Sequence, residues 1–432
     1  MNLSGLLDAF KTPDLRKKII FTLSLLAVYR LGSIVPTPGV DYSAVQTCIN
    51  QVQGNSLYNM INLFSGGALL QLAVFALGIM PYITASIILQ LLRVVIPRLE
   101  ALKKEGQAGQ AKITQYTRYV TIGLAVLQST TLVTLARTPG ALLQGCNERI
   151  VPDTSIPVLF TMVLTMTAGT AVVMWLGELI TARGVGNGMS LLIFTSIIAG
   201  MPGGFVAIQA TDGNLVFAAV AAIAIIVMAG VVFVEQAQRR IPVQYAKRMV
   251  GRRMYGGAST YIPLKVNMSG VIPVIFASSL LYLPSLIVQL SGSQAPWAQW
   301  VARNFSVGDS AAYLTLYAVL IIFFAYFYAA ITFDPQDVAD NMKKYGGFIP
   351  GIRAGKPTAD YLDYVLSRLM FVGSIYLTVV AIVPFFFFAW LGVGDRFLFG
   401  GTSLLIIVGV GLDTVKQIES QLQQRNYEGF LR

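Results

Sequence analysis

Ten stretches of the sequence, each close to 20 residues long, consist mainly of apolar side chains and contain almost no charge. About 20 apolar residues in a helix cross the hydrocarbon core of a bilayer, and no alternating strand pattern typical of a membrane barrel is present. We place spanning helices near 17–35, 69–93, 115–136, 156–181, 188–205, 214–234, 270–290, 311–333, 366–391 and 402–418. The predicted fold class is therefore an all-α, polytopic membrane protein.

The composition excludes a water-soluble globule and much enzyme chemistry. Only 12% of the 432 residues are charged and 55% are hydrophobic, whereas roughly 25% of a soluble domain is charged. The chain has no histidine, which excludes mechanisms that need an imidazole base, zinc ligand or proton relay. Cys48 and Cys146 are too few for a thiolate metal site. We expect no cofactor and no metal, and leave open whether these two cysteines, both in predicted external loops, form a disulfide.

Basic residues are distributed unevenly between the two sides of the membrane. The terminal segments and the loops after the even-numbered spans hold 26 of the 31 Lys and Arg residues, which predicts cytoplasmic N- and C-termini. Two of these loops, about 235–265 and 334–365, carry more positive charge than orientation requires. Either they set the topology alone, or they also bind an anionic partner in the cytoplasm.

Two of the predicted spans contain similar sequences. Residues 78–89 and 270–281 share Gly, Pro, Ile, Ala, Ser and Leu in register. Chance similarity between apolar helices is one explanation. The other is a duplication, which makes 1–205 and 206–432 two halves of five helices each, the second inverted because five is odd. Small side chains in both segments would let these two helices approach closely along a seam that can open.

The segment before the second predicted span is apolar but short. Leu57 to Phe64 is too short to cross a bilayer, and Gly66-Gly67 separates it from the next span. It predicts either a re-entrant half-helix in a water-filled funnel or a helix lying on the membrane surface.

Pairs of aliphatic residues with helical spacing, such as Ile79 with Ile83 and Met189 with Ile193, lie on two different predicted spans. Such residues either pack against lipid and core or line an apolar constriction that excludes ions. The residues alone do not decide between these two interpretations.

A set of short motifs makes the chain resemble the SecY/Sec61-alpha family of protein-conducting channels along nearly its whole length. These motifs are LFSGGA at 63–68, GIMPYI at 78–83, GVGNG at 184–188, YAKR at 245–248, GRR at 251–253, LKVN at 264–267, GVIP at 270–273 and GGFIPGIR at 346–353. The resemblance implies ten helices in two inverted halves around a central pore.

The resemblance also implies roles for particular residues. The family's apolar pore ring corresponds to Ile79, Ile83, Met189, Ile193, Ile275 and Ile406. Its plug corresponds to Leu57, Tyr58, Asn59, Met60, Ile61, Asn62, Leu63, Phe64, Ser65, Gly66 and Gly67. Its lateral gate, where the second and third spans meet the seventh and eighth, is expected at Thr84, Gln90, Ser279 and Leu283. Contacts with a motor or ribosome are expected at Arg252, Arg253 and Arg353.

The implied function is passage of unfolded secretory polypeptides across the bacterial cytoplasmic membrane, with lateral release of hydrophobic helices into lipid. The implied partners are SecE, SecG, the SecA motor ATPase or a ribosome, and a preprotein with its signal sequence. Ribosomal RNA is the one nucleic acid expected nearby. An inverted-repeat transporter of small solutes is the alternative, but the spans lack the midplane charge that such carriers use. Gly351 to Thr358 does not have the spacing of a phosphate-binding loop, so we expect no ATPase and no enzyme.

Overall fold

The computed structural model describes residues 11–51, 65–138, 148–245, 248–250, 253–255, 259–291, 295–305, 310–390 and 401–429. Most of this part of the chain is helical, and seven helical segments, two of them within the kinked helix Gly188–Gln236, are long and apolar enough to cross a membrane. The predicted fold class is confirmed for the membrane part, and the structure adds a small sheet outside it.

Up to Gln236 the chain forms helices of very different length. They are α1 (Pro13–Gly32), α2 (Tyr42–Gln51), α3 (Met80–Val95), α4 (Pro97–Lys104), α5 (Gln107–Arg137), α6 (Ile156–Arg183) and α7 (Gly188–Gln236). Helix α7 covers the fifth and sixth predicted spans, with a kink at Gly213, where φ is 85°. Glycine tolerates this left-handed backbone, so the kink falls between the two spans.

The second half repeats the pattern of long apolar helices joined by short ones. Its helices are α8 (Ile272–Ser291), α9 (Pro296–Phe305), α10 (Ala311–Thr332), α11 (Pro335–Lys344), α12 (Lys356–Trp390) and α13 (Gly401–Gly429). Each of the ten predicted spans coincides with a helix or with one arm of α7, but the second begins later than predicted.

That second span, placed near 69–93, is a helix only from Met80 onward. The preceding residues, from Gly66 to Ile79, form successive turns. Their backbone is hydrogen-bonded to the residues that follow α1: the Thr37 N–H donates to the Leu72 carbonyl at 3.0 Å, and the Val74 N–H to the Val35 carbonyl at 2.9 Å. Because buried turns and a buried helix are equally apolar, hydropathy alone could not place this boundary.

A three-stranded antiparallel sheet joins the two long basic loops. Its order is β4–β1–β5, with β1 Gln238–Tyr245, β4 Ser259–Lys265 and β5 Gly347–Phe348, and β2 (Arg248–Val250) pairs with β3 (Arg253–Tyr255). Sequence analysis missed these strands. Ile241 and Val243 of β1 are buried while their neighbours are exposed, the alternation of a strand with one covered face.

The two similar segments fold in the same way locally. Gly78 and Gly270 both have positive φ, at 53° and 62°. A helix begins two residues after each, at Met80 and at Ile272. A positive φ is readily adopted only by glycine, so the shared glycine gives both helices the same abrupt start.

Close backbone contacts also occur at corresponding places in the two halves. A Cβ on Gly169 of α6 would collide with the carbonyl oxygen of Val74, and a Cβ on Gly373 of α12 would collide with that of Val266. Val74 and Val266 each lie four residues before the shared glycine. Both long helices therefore need a residue without a side chain where a turn segment crosses them.

Cys48, at the end of α2, is fully buried and disulfide-bonded. The chain contains two cysteines, and the other one, Cys146, lies outside the described residues. The sequence left open whether Cys48 forms a disulfide, and the structure shows that it does.

We expect Gly169→Leu to destabilise the protein, because any side chain there meets the Val74 backbone. Overpacking of this kind costs about 1–3 kcal/mol. Gly123→Leu in α5 is the matched control, since a Cβ there meets nothing within 4 Å. The thermal midpoint of unfolding of the purified protein in detergent should fall for Gly169→Leu and should stay the same or rise for Gly123→Leu. Equal midpoints for the two variants would show that the contact between Gly169 and Val74 is not tight.

Candidate functional site

The six side chains proposed for the pore ring all belong to, or pack against, one large apolar cluster. Ile79, Ile83, Ile193 and Ile406 are buried members, with exposed fractions of 1%, 7%, 3% and 0%. Met189 and Ile275 are partly buried and pack against the same cluster. These six residues come from α3 and the turn before it, α7, α8 and α13, and the same cluster also contains residues of α1, α6, α10 and α12.

A cavity of about 500 Å³ reaches this cluster from one side. Ile193, Ile275 and Ile406 line it together with polar residues that include Asn187, Glu235, Lys265, Asn267, Asp413 and Lys416. Its lining therefore combines charged and polar side chains with branched aliphatic ones.

Polar bonds tie the start of α8 to the end of α7 at the wall of this cavity. The Asn267 amide donates to the Glu235 carboxylate at 2.5 Å and to the Gly270 carbonyl at 3.1 Å. The Ser269 hydroxyl donates to the Asn267 side-chain oxygen at 3.2 Å. Asn267 and Glu235 are both buried, so these bonds satisfy groups that would otherwise be costly to bury. Sequence analysis did not find this network.

Only the C-terminal end of the predicted plug lies within the described residues. Leu57 to Phe64 fall outside them, while Ser65, Gly66 and Gly67 are described. Ser65 is 2% exposed, and its hydroxyl accepts the Leu69 N–H at 3.0 Å. A Cβ on Gly66 would lie 3.1 Å from the Cα of Ser196. The end of the plug segment thus contacts α7 three residues beyond Ile193, about one helical turn from the ring.

Helices α3 and α8, expected to form the lateral gate, contact each other directly. Two gate candidates bond to their own helices: the Thr84 hydroxyl donates to the Met80 carbonyl at 3.0 Å, and the Ser279 hydroxyl to the Ile275 carbonyl at 2.8 Å. Neither bond crosses the seam. The Gln90 side-chain oxygen is buried without a hydrogen-bond partner in the described part of the chain. The side chain of Leu283 lies outside the description.

An ion pair that sequence analysis missed joins α5 to α6. Arg118 of α5 donates twice to Glu178 of α6, from Nε to Oε1 at 2.9 Å and from NH2 to Oε2 at 2.6 Å. Two parallel bonds fix the relative orientation of the planar groups as well as their distance. Nothing in the spacing of two residues 60 positions apart marks them as partners.

Two of the three arginines expected to meet a motor or ribosome lie within the described residues. Arg353 is exposed, and the Thr358 hydroxyl holds its carbonyl at 2.8 Å. Arg253 is in β3, with its side chain outside the description, and Arg252 lies outside the described residues. Nearby, the Arg240 guanidinium lies over the Tyr261 ring at 4.8 Å from its centre. The sheet therefore presents exposed arginines on a folded surface.

The apolar interior beneath that surface combines both basic loops. Its buried residues come from β1, β4, α11, α12 and the turn after β5, and are Ile241, Val243, Leu264, Met342, Ile349, Leu362 and Val365. Because strands from one loop pack on helices flanking the other, the two loops form a single folded unit.

Comparison with known proteins identifies the family. The SecY family model matches residues 73–415. Protein translocase subunit SecY of Streptomyces scabiei is 66% identical over 437 residues, covering 100% of both chains. The protein of the same name from Mycobacterium tuberculosis is 60% identical over 442 residues, again covering 100% of both chains.

Solved structures with the same fold are more distant in sequence. A structure described as that of a protein conducting channel has a TM-score of 0.62 at 18% identity, covering 93% of this chain and 91% of the other. Sec61 in the canine ribosome–channel complex has a TM-score of 0.59 at 16% identity, with the same coverage. None of these relatives is described as a transporter of small solutes. From its match to the family model and its identity to these relatives, the chain belongs to the SecY family.

Proposed function

We propose that this chain is the channel-forming subunit of a protein translocase, through which unfolded polypeptides cross the bacterial cytoplasmic membrane. The observation that supports the proposal is an apolar cluster that contains all six residues proposed for the pore ring, three of which, Ile193, Ile275 and Ile406, also line a cavity with polar side chains. A constriction of this kind suits a substrate that presents every type of side chain in turn.

The chemistry of the ring explains how one pore passes many sequences. A site with fixed charges or hydrogen-bonding groups would retain some segments and reject others. Branched aliphatic side chains bind no residue type strongly, and a narrow apolar ring excludes water and ions when no chain is present. The ring therefore closes the resting channel and yields to a polypeptide that is pushed through it.

The seam between α3 and α8 is the proposed exit to lipid, with Thr84, Gln90, Ser279 and Leu283 near it. A hydrophobic segment in the pore gains about −0.3 to −0.6 kcal/mol per central Leu, Ile, Phe or Val on entering the bilayer. Segments of sufficient length leave sideways as membrane helices, whereas polar segments continue across. Direct helix contact without a side-chain hydrogen bond from Thr84 or Ser279 across the seam is consistent with a contact that opens.

The proposed halves, 1–205 and 206–432, are inverted copies of one five-helix unit. The paired glycines Gly78 and Gly270 support this, as do the backbone contacts of Gly169 and Gly373 described above. Two halves that meet at the pore ring and differ in orientation can separate along the seam without unfolding.

The energy for transport is proposed to come from a partner, SecA or a ribosome, docking on the sheet and its exposed Arg353. Arg252 and Arg253 belong to the same proposed surface, and ribosomal RNA is the anion that a ribosome would present there. SecE and SecG are the proposed membrane partners. This arrangement requires the sheet, and with it both chain termini, to face the cytoplasm, and it requires no enzymatic activity of the chain itself.

Replacing Ile83, Ile275 and Ile406 together with Asn should raise the ion conductance of the resting, reconstituted complex severalfold. Polar groups at these positions hydrate the constriction, so that ions can pass. The matched control replaces Ile122, Ile225 and Ile375, which are 41%, 63% and 42% exposed on the outer surfaces of α5, α7 and α12. The control should conduct like the unsubstituted protein. Unchanged conductance in the ring variant would exclude this ring as the barrier.

Arg353→Glu should abolish motor-driven export while the protein itself still inserts into the membrane. The exposed guanidinium is the proposed contact for an anionic surface, and reversing its charge turns attraction into repulsion. Lys112→Glu applies the same charge change at an exposed site in α5, away from the sheet. In export assays on inverted membrane vesicles, Arg353→Glu should lose export and Lys112→Glu should keep it. Normal export by Arg353→Glu would exclude Arg353 as a contact for the motor.

A further inference from the structure

We propose that a balanced set of four charges on the wall of the cavity lets acidic and basic segments of a polypeptide pass this channel alike. The inference deepens the proposed function and rests on it, because it concerns which chain segments that same cavity admits. Among the described residues that line the cavity, the charged ones are two acids and two bases, Glu235, Lys265, Asp413 and Lys416. Their formal charges cancel.

This balance differs from the charge of the chain as a whole. The formal net charge of the chain is +11, and the segments proposed to face the cytoplasm hold 26 of its 31 basic residues. A cavity lined at random by such segments would be basic, and a basic cavity attracts acidic segments and repels basic ones. A neutral lining instead suits a passage that is used by segments of either sign.

Two of the four charges neutralise each other directly. The ammonium of Lys265, at the end of β4, lies 3.3 Å from a carboxylate oxygen of Asp413 on α13. Both side chains are exposed, at 41% and 64%, and an exposed ion pair contributes little to stability. The pair therefore matters less as a link between two elements than as a source of charge for whatever occupies the cavity.

The other two charges complete the balance from α7 and α13. Glu235, at the end of α7, is 8% exposed, and its carboxylate accepts a hydrogen bond from the Asn267 amide at 2.5 Å. Lys416 is exposed and follows Asp413 by three residues, which places both on one face of α13. The Glu235 carboxylate interacts electrostatically with each of the other three charged residues. All four groups therefore act within one shared volume.

These charges lie near the apolar residues of the same cavity. Ile406 precedes Asp413 by seven residues on α13, which is two helical turns and about 10 Å along the helix axis. The Debye length is also about 10 Å in 0.1 M salt, so a charge at this place is only partly screened from a polypeptide in the cavity. One excess charge should repel a run of like charges and slow its passage by about fivefold.

The test removes one charge of each sign, first separately and then together. Asp413→Asn gives the cavity an excess positive charge, and Lys416→Gln gives it an excess negative charge. The double variant Asp413→Asn/Lys416→Gln is neutral again, although both side chains have changed. The matched control is Glu105→Gln, which also removes an acid from an exposed ion pair, that with Lys112 at 3.9 Å, at a site that does not line the cavity.

Each variant is reconstituted as the full complex with its motor, in vesicles without a membrane potential, because a potential would itself act on charged segments. The preproteins compared differ only in a run of lysines, of glutamates or of serines within the exported part. The transport rates of the lysine and glutamate runs are divided by that of the serine run in the same variant. A general loss of activity then cancels, and the preference for charge remains.

We expect the relative rate of the lysine run to fall about fivefold in Asp413→Asn, and that of the glutamate run to fall about fivefold in Lys416→Gln. Both relative rates should return to those of the unsubstituted protein in the double variant. Glu105→Gln should change neither rate.

Relative rates that stay the same in both single variants would overturn the proposal. So would a change that the double variant does not reverse, because the lost Lys265–Asp413 contact and not the charge balance would then be its cause. A single variant that exported no run at all would show that its residue is needed by every segment, which also contradicts the proposal. If the unsubstituted complex exported none of the runs, the proposed channel function itself would fail.

Discussion

Contact among buried branched aliphatic side chains from distant parts of the chain is the interaction on which the rest of the structure depends. Fully burying one such side chain is worth about 1.5–3 kcal/mol, so the proposed ring of Ile79, Ile83, Ile193 and Ile406 would close on itself in the absence of a substrate. Contacts of this kind are not directional. In the proposed channel they would be exchanged for contacts with a passing chain at little net cost, which would make the barrier both tight and unselective.

Directional bonds lie around this cluster and hold its supports in place. The Asn267–Glu235 bond fixes the start of α8, and the paired bonds between Arg118 and Glu178 fix α5 against α6. Tyr29 and Ser196 join α1 to α7. If the chain opens as proposed, rigid elements on either side of the apolar cluster would confine the motion to the contact between α3 and α8.

Much of the membrane architecture could be predicted from the sequence because it depends on local apolarity. The positions of the spans and the membership of the six proposed ring residues in one apolar cluster could be predicted from hydropathy or from family motifs. The start of α3 at Met80 could not, since the turns before it are as apolar as a helix. Nor could the sheet, in which Gln244 pairs with Phe348 from another loop, or the collision of a Gly169 side chain with Val74. Each of these depends on which distant backbone comes near, and that information is absent from any single stretch of sequence.

Crosslinking of a stalled secretory chain to cysteines placed one at a time at Ile79, Ile83, Met189, Ile193, Ile275 and Ile406 tests the central claim most directly. If these side chains surround the translocating polypeptide, all six positions should crosslink to it, and cysteines at the exposed positions Ile225 and Ile375 should not. Crosslinks at the exposed positions, with none at the ring, would show that the polypeptide takes another route and would contradict the account.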